Sequence, residues 1–414
     1  MDAQAFSHRK SSVKLRIVCA DGTPAANRSV EINQTRHQFL FGCGGFDAVE
    51  FAGGNADGTP LSMEQEAVLR DRMDKIFSLN NYATLPFYLG RYEKEEGRPD
   101  QKRTMAAAEW FARRNITTKG HPLCWHSVCA DWLMHYSNKT ILEKQIARIE
   151  RDVSAFKGII DMWDVINEAV IMPIFDKYDN AVTRVCKELG RVGFIKEVFA
   201  AARRANPSAV LLLNDFDTSI SYEILIDGCL QAGVSIDVIG IQSHQHQGYW
   251  GLEKLREVLD RFSHFGLPLH FTENTLISGE LMPEHIVDLN DWQVSEWPST
   301  PEGEERQARE ITEMYEVLFA CPAVEAVTTW SAMDGRWLKA PAGFLRENNS
   351  VKPSYTALMN KIKGEWRTRE SLRTDANGGL NLEGFRGDYE LVCGDRKIPF
   401  VLDGKKAQID MVLG

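Results

Sequence analysis

The sequence predicts an α/β protein: a (β/α)8 TIM barrel carrying a small β-sandwich-like accessory domain formed by the N- and C-terminal segments. Three observations predict it. Between residue 37 and residue 363, eight short apolar runs rich in β-branched residues alternate with longer stretches of helical periodicity, the order and count of a closed parallel barrel. Polar and aromatic residues gather at the C-terminal ends of those runs, which in such a barrel converge on one mouth. Outside this span both ends of the chain change to alternating segments punctuated by Asp-Gly and Asn-Gly turns. An open doubly wound sheet is the competing architecture, but no GxGxxG follows the first run.

Taken in order, residues 1–36 hold "KLRIVCADGTPAANRSVEINQ", two alternating segments around Asp21-Gly22, and predict a β-hairpin. The predicted barrel strands follow as "HQFLFGC", "LNNYATL", "ITTKGHP", "IIDMWDVINE", "AVLLLND", "IDVIGIQSH", "LPLHFTE" and "EAVTTWS". Between them lie amphipathic stretches such as "SMEQEAVLRDRMDKIF", "KTILEKQIARIERDVSAF" and "ERQAREITEMYEVLF". Residues 364–414 return to β-like runs around Asn377-Gly378 and Asp403-Gly404, and should pair with the N-terminal hairpin. The role of this accessory domain reads as structural, with sugar binding as the alternative.

Composition narrows the function classes. With 43% hydrophobic and 26% charged residues over 414 positions, the chain can bury a large core as a globular protein. Its net charge of −10 gives no field to hold a polyanion, which argues against a nucleic-acid partner. No apolar run reaches the ~18 residues of a spanning helix, so no membrane partner is expected. The first residues lack a secretory h-region, and the eight scattered cysteines show no ligand-like pair; both favour a cytoplasmic protein with free thiols. No cofactor or metal is expected. Oligomeric state is not readable.

Seven predicted strand ends present Asn81, His121, Glu168, Asn214, His244, Glu273 and Trp330. One such residue is easily a packed structural polar group; seven on one face point to a site. Glu168 and Glu273, ending the fourth and seventh runs, form the pair that glycosidic cleavage requires: one carboxyl protonates the leaving oxygen while the other attacks or activates water. Their neighbours fit a sugar. His121, Trp125 and His126 sit at the third end, Asn214 and Asp215 at the fifth, Gln242 and His244 at the sixth, Trp330 and Trp337 at the eighth. Indoles pack on the C–H faces of sugars while hydroxyls need paired donors and acceptors. Trp163 reads as core filler, and His244-x-His246 as a sugar-contacting loop in preference to a metal site.

Over residues 37–362 the chain resembles glycoside hydrolase family 10, the endo-β-1,4-xylanase family, through "GHPLCWH", "WDVINEA", "NDFD", "IDVIGIQSH", "FTE" and "KPSYTAL" in that order. The resemblance implies a retaining double displacement on xylan or xylo-oligosaccharides. It implies that Glu168 is the acid/base, that Glu273 is the nucleophile, and that Asn167 bonds the 2-hydroxyl of the sugar at the cleavage point. His244 would bond Glu273 with Gln242 nearby, while His121, Trp125, Asn214 and Trp330 would line that sugar, with Trp337, Tyr88 and Asn81 as further substrate contacts. An exo-acting or small-glycoside β-glycosidase, and a catalytically silent sugar binder, are the alternatives. Two glutamates retained beside Asn167 and His244 speak against the silent binder.

The chain departs from the family pattern after the second strand. Thr84, Leu85 and Tyr88 stand where the family has Glu, Asn and Lys gripping the next sugar, so an apolar and aromatic surface is expected there. Val128 replaces a Gln, and Thr275 replaces the Asp two positions after the nucleophile. The long 274–302 loop brings Trp292 and Trp297 and either narrows the cleft or packs as a surface loop.

Overall fold

The computed structural model describes residues 3–413. They form two compact units: one comprises residues 41–314 and 323–354, the other the segments up to residue 40, 315–322, and from 355 onward.

In the first unit, eight parallel strands follow one another in chain order: Leu40–Gly44, Tyr82–Pro86, Thr117–His121, Met162–Asn167, Val210–Asp215, Val238–Ile241, Leu269–Leu276 and Val324–Thr329. The eighth pairs with both the first and the seventh, which closes the barrel. Each strand is buried almost throughout, as expected where side chains fill the barrel on one face and meet helices on the other. The helices begin where the sequence supplies caps. Ser62 and Gln65 make a reciprocal capping box for Met63–Leu79, Ser137 caps Asn138–Ala155, and Asn180 caps Ala181–Ala205, which kinks at Gly190.

Trp163 is the core filler that the sequence suggests, packed against Phe87 and Phe156 at centroid distances of 4.9 and 6.2 Å. It also explains Gly120 on the neighbouring strand. A Cβ at Gly120 would come within 2.1 Å of the Trp163 ring, so no larger residue fits.

Two strand pairings are irregular: between the fourth and fifth strands the register shifts between Asp164 and Ile166, and between the seventh and eighth it shifts between Phe271 and Asn274. These irregularities immediately precede Glu168 and enclose Glu273. Bulges of this kind re-aim side chains at functional ends of strands.

The second unit is a pair of antiparallel-rich sheets. One has Lys10–Cys19 between Gly379–Phe385 and Gln408–Leu413; the other has the order Arg369–Arg373, Ser29–His37, Gly387–Cys393, Arg396–Leu402. Alternating residues Val13, Leu15 and Ile17 of one sheet and Val30, Ile32 and Leu391 of the other enter a common core. The expected N-terminal hairpin is corrected here. The Asp21-Gly22 turn does form, with Gly22 N–H donating to Cys19 O at 2.9 Å, but its two arms go to different sheets. Each pairs antiparallel with a C-terminal strand, Lys10–Cys19 with Gly379–Phe385 and Ser29–His37 with Gly387–Cys393. Phe319 also belongs to this unit, stacked on Trp366 at 4.6 Å, so the unit takes in residues beyond the expected 36 and 364 limits.

All eight cysteines are free thiols. Among the described residues no helix is long and apolar enough to cross a membrane.

Candidate active site

The ends of the third to seventh barrel strands assemble one hydrogen-bonded network. Asn214, closing the fifth strand, donates its single amide nitrogen both to Asn167 Oδ1 (2.7 Å) and to Glu273 Oε1 (2.8 Å). Its own Oδ1 accepts from Thr272 Oγ1 at 2.7 Å. Gln242 repeats the pattern on the other side, donating to Asn167 Oδ1 (3.1 Å) and Glu168 Oε1 (3.2 Å). Asn167 Nδ2 donates to the same Glu168 oxygen at 3.2 Å. Asn167 is thus the link through which the two glutamates share one set of fixed amides.

The two carboxyls sit in different electrostatic surroundings. Glu168 is only 14% exposed on its side chain. Burial pushes its pKa up to about 8; the Glu273 and Asp215 charges add to the rise, and the Trp125 indole, donating to Oε2 at 2.9 Å, opposes it. Glu168 also holds a left-handed backbone, φ +58°, and its N–H donates to Asn214 O at 2.9 Å. Such a conformation is costly for a non-glycine residue and is retained here at the strand end that aims the carboxyl. For Glu273 burial acts in the same upward direction but is outweighed. His121 and His244 bring its pKa below the ordinary carboxylate value, with His244 Nε2 at 3.3 Å from Oε2 and His121 Nε2 at 4.0 Å from Oε1. One carboxyl is therefore held neutral and the other ionised at neutral pH, the division of labour that acid-assisted nucleophilic displacement needs.

His121 is itself held from below. Its Nδ1 donates to Asp164 at 2.6 Å, and Asp164 pairs with Lys119 at 2.6 Å, both of the latter fully buried. Burial alone would raise the Asp164 pKa; Lys119 and His121 keep it low. Neither Lys119 nor Asp164 was among the residues picked out from sequence. The available signal is two opposite charges in adjacent strand runs, on one face and two positions apart in the parallel register.

The remaining expected residues divide. Trp330 stands edge-on to His121 at 5.1 Å and to Phe46 at 5.1 Å. Trp337 lies against His244 at 4.6 Å and donates to Asn290 Oδ1 at 3.3 Å. Tyr88, beyond the second strand, meets His121 and Trp125 at 5.5 and 5.7 Å. His126 is buried against Phe175, with burial lowering its pKa to about 4. Asn81 is a correction. The second strand starts at Tyr82, so Asn81 lies at the opposite end of the barrel, its Oδ1 accepting from Phe41 N–H at 2.9 Å. Thr84 and Leu85 are fully buried within that strand, so the altered surface expected after it reduces to Tyr88.

Behind His244 the hydroxyl of Thr275 is 3.5 Å from Nδ1, and it also meets His246 Nδ1 at 3.3 Å. A neutral partner backs the imidazole that faces Glu273. The 274–302 loop is packed: Ile277, Met282 and Trp297 form a buried cluster with Ala340 and Ala342, and Trp292 lies against it.

Comparison with known proteins places this geometry in context. The model of glycosyl hydrolase family 10 matches residues 62–361. The chain is similar to endo-1,4-beta-xylanase C of Paenibacillus barcinonensis, 26% identical over 335 residues, covering 71% of this chain and 29% of that protein. It is also similar to endo-1,4-beta-xylanase 2 of Arabidopsis thaliana, 25% identical over 431 residues, covering 99% of this chain and 35% of that one. The chain thus spans about a third of the length of these relatives. Among solved structures, xylanase 10B of Thermotoga petrophila in complex with xylobiose superposes with a TM-score of 0.62 at 21% identity, covering 79% of this chain and 95% of that one. At that identity the likeness speaks for the fold.

Proposed function

The chain belongs to glycosyl hydrolase family 10, and we propose that it hydrolyses β-1,4-xylosidic bonds in xylan or xylo-oligosaccharides with retention of configuration. The observation that carries this is the opposed state of Glu168 and Glu273, one neutral and one ionised, within a single amide network.

In the first step Glu273 attacks the anomeric carbon while Glu168 passes its proton to the departing oxygen, leaving a covalent glycosyl-enzyme. Esterification removes the Glu273 charge. Because that charge helps to raise the Glu168 pKa, its loss lowers the pKa and suits Glu168 to act as the base. In the second step Glu168 takes a proton from water, and the hydroxide displaces Glu273 from the sugar. Asn167, with its amide already oriented by three bonds, is the group positioned for a sugar hydroxyl. His121, Trp330 and Tyr88 supply an aromatic wall around it. The relatives named as xylanases support the xylosidic linkage.

The test is product analysis on soluble xylan and on xylo-oligosaccharides of increasing length, with the anomer formed first read by NMR. Internal cleavage with β-anomer appearing first is expected. Immediate formation of the α-anomer, or undiminished turnover by Glu273→Ala without added nucleophile, overturns the mechanism.

A further inference from the structure

The loop after Glu273 runs from the end of the seventh strand at Leu276 to the helix beginning at Pro301. On one flank it is anchored firmly. Beyond its own buried cluster, Gln247 from the loop after the sixth strand donates to the carbonyls of Pro283 and Ile286 at 2.9 and 2.8 Å. Its tip, the short 3-10 turn Leu289–Asp291, then leaves that flank. Asn290 accepts from Trp337, whose ring lies on His244. Asp288 and Asp291 both take the ammonium of Lys177 at 2.6 Å.

Lys177 is in the loop that follows the fourth strand, shortly after Glu168. Two positions before it, Phe175 packs on His126 at 4.5 Å, and His126 Nε2 lies 4.0 Å from Glu168 Oε2. The Asp288 charge is close enough to act on His126. Contacts thus run from His244 through Trp337, Asn290 and Asp288 to Lys177, joining the nucleophile side to the acid side.

We propose that the Lys177 bridge to Asp288 and Asp291 straps the cleft over its leaving-group side and makes chain length beyond the scissile bond a property on which this enzyme selects. The inference rests on the xylosidic reading above. The acid has to reach the leaving oxygen, so sugars beyond the cleaved bond lie past Glu168, among the loops after the fourth to seventh strands. The wall of Tyr88, His121 and Trp330 belongs to the other side. A small leaving group fits under the strap, whereas a long chain has to part Lys177 from its carboxylates. Lys177 is 40% exposed, so the bridge is weak enough to open and is screened by salt.

The test compares kcat/KM for xylohexaose and for an aryl β-xylobioside in wild type and Lys177→Gln. The expected result is a rise of about five-fold in the hexaose-to-aryl ratio, the aryl substrate alone being unaffected. Raising salt from about 0.05 to about 0.5 M should move the wild-type ratio the same way and leave the variant flat. An unchanged ratio in the variant, or an equal change on both substrates, overturns the strap. Should the wild type turn over no xyloside, the substrate reading fails, and amide hydrogen exchange across residues 280–295 decides the strap by itself. Faster exchange in Lys177→Gln supports it; identical exchange overturns it.

Discussion

Asn214 Nδ2 lies 2.8 Å from Glu273 Oε1 while also donating to Asn167 at 2.7 Å, so one side chain orients both the ionised carboxylate and the amide beside Glu168. Removing it strips a buried charge-assisted bond, a contribution of about 1.5–3 kcal/mol. Asn214→Ala should therefore lower kcat/KM by roughly 10- to 100-fold and move the acid limb of its pH profile upward, since Glu273 loses a donor. An unmoved acid limb would show that the amide does not act on the carboxylate.

The proposed mechanism requires Glu168 protonated and Glu273 ionised. The pH profile of kcat/KM should be a broad bell, its basic limb near 8 from Glu168 and its acid limb below the usual glutamate value. Trp125→Phe removes a bond that lowers the Glu168 pKa and should carry the basic limb higher. Steady-state rates across pH in both proteins decide this, and a basic limb that stays put or falls contradicts the assignment.

Holding Glu168 neutral also has a cost in stability. Its folded pKa of about 8 stands above its unfolded value of 4.5. Below 4.5 both states carry the proton and the contribution is complete; as pH rises towards 8 the unfolded chain ionises first and that contribution is lost. Glu168→Gln escapes this loss. Its Tm relative to wild type should therefore increase from pH ~5 to ~8, even though the proposed mechanism leaves the variant without an acid. A constant Tm difference across that range would contradict the raised pKa.

Gly240 is pinned by the same asparagine. A Cβ there would stand 2.4 Å from Asn214 Oδ1. Gly240→Ala should displace Asn214 and cost about 100-fold in kcat, with a loss of only about 1–3 kcal/mol in unfolding free energy. Equal kcat in the folded variant would mean that Asn214 need not be held where it is.

Tyr88 packs beside His121 and Trp125, where the proposed function places its ring against the sugar. Tyr88→Ala should raise KM for xylobiosides by about five-fold, whereas Tyr88→Phe should leave it close to wild type, because the face and not the hydroxyl provides the contact. Initial-rate measurements on one aryl xylobioside distinguish the two variants.

The barrel is readable because its strands are short, apolar and regularly spaced, and all eight runs end within three residues of the observed strand ends. Asn81 failed for a specific reason. Asn80 is the C-cap of Met63–Leu79, its N–H donating to Ile76 O, so the polar pair closes a helix and does not end a strand. Local turn chemistry at Asp21-Gly22 was right, but it does not determine which sheet each arm joins. Lys119 and Asp164 escape a reading by periodicity, which treats a charge inside a strand as a defect, whereas here each neutralises the other. The Lys177 bridge joins loops far apart in sequence, and nothing local announces it.

The strand Lys10–Cys19 pairs in parallel with Gln408–Leu413, the first and last strands among the described residues. On a ribosome adding about 5–20 residues per second, the early strand therefore waits on the order of 20 to 80 s for its partner. Until then Val13, Leu15 and Ile17 lack the partners that bury them in the fold, and unpaired apolar strands seed association between chains. The barrel strands all precede Gln408, so the yield of soluble protein should depend on how well the Lys10–Cys19 segment is shielded until its partners are made.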